Sequence, residues 1–275
     1  MSAAPVINHR EREKGVVVYP VYSRRSEGLS IGINLFPGKK SCRFDCPYCE
    51  VFPFSSRAEF NLEQMETDLL RAISGANEQN IPIKDICFSG NGEPTLSPAF
   101  GGALKSAENI RKKTAPQAKL VVITNGTGIL QPQIFSLLKE ASGNPSLDIW
   151  LKLDAGTPEW YQKINRCTIP FTELTEKLKE FSSCAPVTIQ TMLCTIGGQA
   201  PSETEIDAWE KLACELAANT ACGGVRKVQL YGKARAAPED PLASSLPEEY
   251  LEKRRESLCA IFAEKGISAP VEVYL

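Results

Sequence analysis

No stretch of the 275-residue chain approaches eighteen uninterrupted apolar residues, so no membrane-spanning helix is expected. The opening Met1-Ser2-Ala3-Ala4-Pro5 lacks the charged-then-apolar layout of an export signal, which points to the cytoplasm. There the ten cysteines are expected as free thiols rather than disulfides. Excess positive charge is missing too: the formal net charge is −2, which argues against bulk coating of nucleic acid. Histidine is nearly absent, with His9 alone in a charged N-terminal segment. No internal repeat, linker or compositional break divides the chain. One domain is therefore expected over residues 29–265, with an N-terminal extension at 1–28 and a C-terminal tail at 266–275 packing on it.

What is present in quantity is sulfur at one place. Cys42, Cys46 and Cys49 fall within eight residues in a C-x3-C-x2-C spacing, directly after the apolar run from Ile31 to Phe36. Soft thiolates select iron–sulfur clusters, zinc or copper(I). A [4Fe–4S] cube takes four ligands, so three thiols leave one iron open to a further ligand. Zinc is the rival, in a closed site of three cysteines and a histidine. His9 is distant in sequence, and no fourth cysteine sits at a zinc-knuckle spacing. Cys87, Cys167, Cys184, Cys194, Cys214, Cys222 and Cys259 are scattered singly and read by default as small buried hydrophobes.

Around that loop the pattern alternates strand and helix. A β-prone run at Val16 to Tyr22 precedes six units, whose strands are expected at 30–35, 85–89, 119–124, 147–154, 187–194 and 227–231. Helices are expected from Asn61 and Ser202, each opening an apparent capping box with Gln64 and Glu205, and from near Pro98, Pro132 and Pro247. Helical material also follows Pro158, through Phe181. Alternation of this kind implies parallel pairing with right-handed crossovers, an α/β architecture with outer helices. In such folds ligands gather at the carboxyl ends of the strands. The residues that stand out lie there: the cysteine loop, Gly90 to Glu93, Asn125, Lys152 with Asp154, and Lys233 with Arg235.

Each has a plain reading beside the functional one. Gly90-Asn91-Gly92-Glu93-Pro94 is a tight turn in which glycines allow close backbone approach, and Glu93 could accept from an ammonium. Alternation places Lys152 and Asp154 on one face of their strand, either as a mutual ion pair or as ligand contacts, since buried charges require partners. Asn125 and Gln190 pose the same choice more weakly. Gln229 and Tyr231 could contact substrate or simply pack. Cys194 could offer a thiol to radical chemistry. Residues 1–43 hold eight basic and three acidic side chains. Arg24, Arg25, Lys39, Lys40 and Arg43 form either a solvated face or the seat of an anionic partner.

The cysteine loop, with Tyr48 as the aromatic of C-x3-C-x-aromatic-C, resembles that of the radical S-adenosylmethionine (SAM) superfamily. One strand–helix unit later, Gly90 to Pro94 is similar to that family's "GGEP" motif. Ser23-Arg24-Arg25, Gly32-Ile33-Asn34-Leu35, Leu153-Asp154-Ala155 and Ile164-Asn165-Arg166 look like short single-cluster Fe–S oxidoreductases related to the wyosine-forming tRNA enzymes. The resemblance implies a partial (β/α)6 barrel and a single [4Fe–4S] cluster on Cys42, Cys46 and Cys49. SAM would chelate the open iron and be cleaved to a 5′-deoxyadenosyl radical that takes hydrogen from a substrate. Tyr48 would pack beside the adenine, and Gly90, Asn91, Gly92 and Glu93 would hold the methionyl end. Lys152, Asp154, Asn125 and Gln190 would contact the rest of SAM. It further implies an oxidoreductase or transferase with a flavodoxin- or ferredoxin-type electron donor. An RNA base or a small anionic metabolite is the favoured substrate. A glycyl-radical activase is an alternative within the enzyme class; outside it, the alternative is a non-catalytic electron carrier or metal-stabilised binding module.

Overall fold

The computed structural model describes residues 15–218 and 223–275; His9 and Cys222 lie outside them. The described residues pack as two compact units, one of residues 15–42 with Pro53–Ile123, the other of Arg43–Phe52 with the described residues from Thr124 to Leu275.

In the first unit, β1 (Val18–Ser23) runs antiparallel to β2 (Gly28–Ile33), which is parallel to β3 (Ile83–Phe88), itself parallel to β4 (Lys119–Thr124). β1 is the β-prone run ahead of the six units. The inner strands are buried on both faces, with Ile31, Ile33, Ile86, Phe88 and Val122 fully enclosed, as continuous apolar runs of parallel sheets require. Helix α1 (Leu62–Glu78) buries Met65, Leu69, Ile73 and Ala76 along one stripe, and Asn61 caps it by accepting from the Gln64 N–H at 2.9 Å. Helix α2 (Phe100–Thr114) begins two residues after Pro98, because Pro94–Leu96 forms a short 3-10 turn first.

In the second unit, β5 (Leu147–Lys152), β6 (Pro186–Ile196), β7 (Gly224–Gly232) and β9 (Val271–Tyr274) pair in that order, all parallel. Short β8 (Ala243–Ser245) adds antiparallel to the end of β6, which carries that strand to Ile196, beyond the expected end at Cys194. Helices α3 (Pro132–Ala141), α4 (Pro158–Ile164), α5 (Phe171–Cys184), α6 (Glu203–Ala217) and α7 (Glu248–Glu264) complete it. Ser202 caps α6 as expected, accepting from the Glu205 N–H at 3.2 Å. The Glu205 carboxylate departs from the capping-box pattern: it takes the Gly156 N–H and the Thr157 hydroxyl, both at 2.5 Å. It thus fastens α6 to the turn after β5. No helix among the described residues is long and apolar enough to cross a membrane.

Candidate functional site

Each unit carries a group of functional side chains just past its strands. In the first, β3 runs out into Ser89-Gly90-Asn91-Gly92-Glu93. Gly90 has φ +134°, and a Cβ there would meet the Asn34 side chain at 2.7 Å, so only glycine is accommodated. Asn34 lies just beyond β2 and is buried. Its Oδ1 accepts from the N–H groups of Phe36 and Asn91, both at 3.1 Å, and its amide donates to the Val16 carbonyl at 3.0 Å. Asn91 donates in turn to the Phe36 carbonyl at 3.2 Å.

Gly92 is required for a second reason. The Ser41 N–H donates to the Asn91 carbonyl at 3.0 Å, and the Glu93 N–H donates to the Ser41 carbonyl at 2.8 Å. These two bonds press the backbones together, so a Cβ on Gly92 would lie 1.9 Å from the Ser41 oxygen. The glycine loop is thereby fastened to the residue immediately before Cys42. Glu93 is buried, and one carboxylate oxygen accepts from the Thr95 N–H at 3.2 Å and the Thr95 hydroxyl at 2.6 Å. It therefore has a capping task at the 3-10 turn, whatever else it binds.

In the second unit the cysteine loop meets the end of β5. Asp154 has no side-chain exposure, and Lys152 faces it with its ammonium 3.4 Å away. The carboxylate also accepts from the Tyr48 hydroxyl, from the Asn165 amide at 2.9 Å and from the Met192 N–H at 2.9 Å. Lys152 donates to the Tyr231 hydroxyl and lies over two rings, 4.9 Å from the Tyr48 centroid and 5.1 Å from that of Tyr231. The mutual pair anticipated for Lys152 and Asp154 is thus present, enlarged by two tyrosines and two further donors. Burial alone would lower the Lys152 pKa, but Asp154 and Tyr231 outweigh it and the ammonium is held more firmly than usual. Burial, followed by the neighbouring Asp154 charge, pushes the Tyr48 phenol well up, so it stays a donor.

Asn165 divides its amide between Asp154 and the Cys46 sulfur, the latter at 3.5 Å, and its carbonyl accepts from the Asp45 N–H at 2.9 Å. Burial pushes the free Cys46 thiol up to about 11 against the pull of Lys152. All three loop cysteines lie outside any disulfide and are partly exposed. Among the described residues, no three His, Cys, Asp or Glu side chains are gathered as a set for one metal ion. Flanking ion pairs tie the loop down: Arg235 to Glu50 at 3.1 Å, and Arg166 to Glu239 at 2.6 Å and to Asp45 at 3.8 Å. Lys233, expected at the strand end with Arg235, pairs with Asp240.

Two expected ligand residues also have local partners. Asn125 accepts from the Thr127 N–H at 2.9 Å and the Thr127 hydroxyl at 2.7 Å, closing its own turn. Gln190 donates to Gln229 at 2.6 Å across β6 and β7, which leaves the Gln190 oxygen and the Gln229 nitrogen buried without a protein partner. Cys194 is buried, and burial pushes its thiol up to about 12. Asn34 and Asn165 were visible only as members of short likenesses. Their polar identity within otherwise apolar surroundings was the only other signal.

The family model described as "Radical SAM superfamily" matches residues 39–206. A "UPF0026 protein" of Helicobacter pylori is 34% identical over 131 residues, which cover 46% of this chain and 39% of that relative. The match thus spans about two fifths of the relative's length. A solved radical SAM methyltransferase from Sphaerobacter thermophilus aligns with TM-score 0.62 and 14% identity, covering 90% of this chain and 66% of that one. An archaeal TYW1 aligns with TM-score 0.51 and 17% identity over 84% of this chain and 71% of that one. These likenesses in fold put the chain in the α/β partial-barrel class.

Proposed function

The chain belongs to the radical SAM superfamily, whose members employ SAM and an iron–sulfur cluster, and from that premise we propose an enzyme that cleaves SAM reductively at one [4Fe–4S] cluster. The observation that carries this reading is the trio Cys42, Cys46 and Cys49: soft donors, free of disulfides, three where a cube needs four. The residues fit the group. Cys46 accepts an amide hydrogen bond from Asn165, as cluster-ligating sulfurs commonly do, and ion pairs restrain the loop on both sides of Cys46 and Cys49. When bound, the cluster would supply the electron that breaks the C5′–sulfur bond of SAM and frees a 5′-deoxyadenosyl radical.

The chain's own residues bind and orient. The backbone of Gly90 to Glu93, pinned by Asn34 and Ser41, would receive the methionyl end, with the carboxylate of Glu93 toward its amine. Tyr48 would lie along the adenine, its hydroxyl held by Asp154. Lys152 and Asp154, already compensated by each other, can present charge to the ribose or the SAM carboxylate without leaving a buried ion unpaired. Asn125 and Gln190 would complete the cofactor contacts, Gln190 through its unspent carbonyl oxygen. Arg24, Arg25, Lys39, Lys40 and Arg43 favour an anionic substrate, an RNA base or a small metabolite, and a flavodoxin- or ferredoxin-type donor in the cytoplasm would supply electrons. Adding SAM to the anaerobically reduced protein should change its electron paramagnetic resonance spectrum, because SAM would bind at the cluster that Cys42, Cys46 and Cys49 would hold. A fully loaded cluster whose spectrum ignores SAM would reject this function.

A further inference from the structure

We infer that Asn165 sets the redox potential of the cluster by donating a hydrogen bond to the Cys46 sulfur, and that Asp154 holds it in the orientation to do so. This rests on the cluster assignment above. Asn165 caps the C-terminus of α4, where its backbone N–H donates to the Tyr161 carbonyl at 2.9 Å and its carbonyl receives Asp45 N–H at 2.9 Å. Those two bonds fix its backbone against the cysteine loop. The residue is 2% exposed, so the amide is shielded from exchange with water.

The direction of the amide follows from chemistry. One neighbour is the Asp154 carboxylate at 2.9 Å, the other the Cys46 sulfur at 3.5 Å. Both are acceptors, so the NH2 end must face them, and its two hydrogens satisfy one acceptor each. Turning the amide over would set its oxygen against a carboxylate. Asp154 cannot easily yield, because Tyr48, Met192 and Lys152 hold it as well.

A positive N–H dipole aimed at a thiolate ligand stabilises the more negative state of the cluster. Hydrogen bonds to the sulfurs are one of the ways in which proteins set the potential of such clusters. Asn165 therefore favours the reduced cluster, the state in which SAM is cleaved. It is a positioning residue, acting through Cys46 rather than touching SAM.

The test is an anaerobic potentiometric titration of the full chain carrying its cluster, followed by electron paramagnetic resonance, for wild type and Asn165→Leu. With the donor gone, the ratio of reduced to oxidised cluster at a fixed potential should fall about tenfold, a shift of about 59 mV to more negative potential for a one-electron couple. Asn165→Gln, which keeps an amide on a longer arm, should recover part of the shift. An unchanged potential in a loaded Asn165→Leu protein would overturn the inference and leave the proposed function standing. A wild-type chain that binds no cluster would instead remove the function itself. Should Asn165→Leu fail to load, wild type grown with 15N-asparagine decides the matter. Its reduced cluster should show a weak coupling to labelled side-chain nitrogen in pulsed resonance, and absence of any such coupling would overturn the inference.

Discussion

Replacing Asp154 by alanine tests how the second unit holds its charged centre. The carboxylate has no exposed side-chain surface and collects four partners: Tyr48, Asn165, Met192 and the Lys152 ammonium at 3.4 Å. Removing it strands the cation, and breaking a buried pair by deleting one partner costs about 3–5 kcal/mol. The Asn165 and Met192 donors also lose their acceptor, at roughly 1–3 kcal/mol for a buried group left unsatisfied. These losses overlap, since Lys152 retains the Tyr231 hydroxyl and two ring faces, so a total of about 4 kcal/mol is expected. Lys152→Met should cost less, about 1–2 kcal/mol, because Asp154 keeps three hydrogen bonds that compensate its charge. Urea unfolding of the two variants beside wild type, with slopes checked for constancy, reads both values. Equal losses, or less than about 1 kcal/mol for Asp154→Ala, would show that Asp154 is not the organising anion.

Three further outcomes are expected. Cys42→Ala, Cys46→Ala and Cys49→Ala should each prevent stable assembly of the four-iron cluster, whereas Cys214→Ala and Cys259→Ala should retain it, as iron and sulfide analysis would show. Glu93→Ala should weaken SAM binding by about 1.5–3 kcal/mol, the value of a hydrogen bond to a charged group, read by equilibrium titration; loss of iron would instead make Glu93 purely a cap for Thr95. Cys194, with its thiol pushed up to about 12 by burial, should be on the order of one part in ten thousand thiolate at pH 8. Its alkylation should rise tenfold per pH unit through pH 10, and rapid labelling at pH 8 followed by peptide mass spectrometry would contradict that environment.

The sequence was most legible where local chemistry and long-range packing agree. β4 begins and ends where expected and α3 begins where expected, because Gly, Pro and Asn mark the chain around them. Three places were not legible. β8 has only three residues and no pattern of its own, and it exists because the end of β6 offers an edge. Glu205 has the right spacing for a capping box, but two donors after β5 outbid the helix terminus for its carboxylate. The ends of β5 and β7 were displaced by a few residues, since pairing partners rather than composition decide where a strand stops. In the site, the glycines and thiols carried their own signal through type and spacing. The work of Asn34 and Asn165 did not, because a single asparagine becomes informative only when distant segments bring acceptors and donors to it.

Cleavage of the C5′–sulfur bond of SAM is the activity proposed for this chain. Protein loaded with iron and sulfide without oxygen, reduced with dithionite and given SAM, should slowly form 5′-deoxyadenosine and methionine even without its substrate, as followed by mass spectrometry. Wild type should yield that product and Cys46→Ala none. A fully loaded, reduced wild-type cluster that leaves SAM intact would contradict that activity and favour an electron carrier.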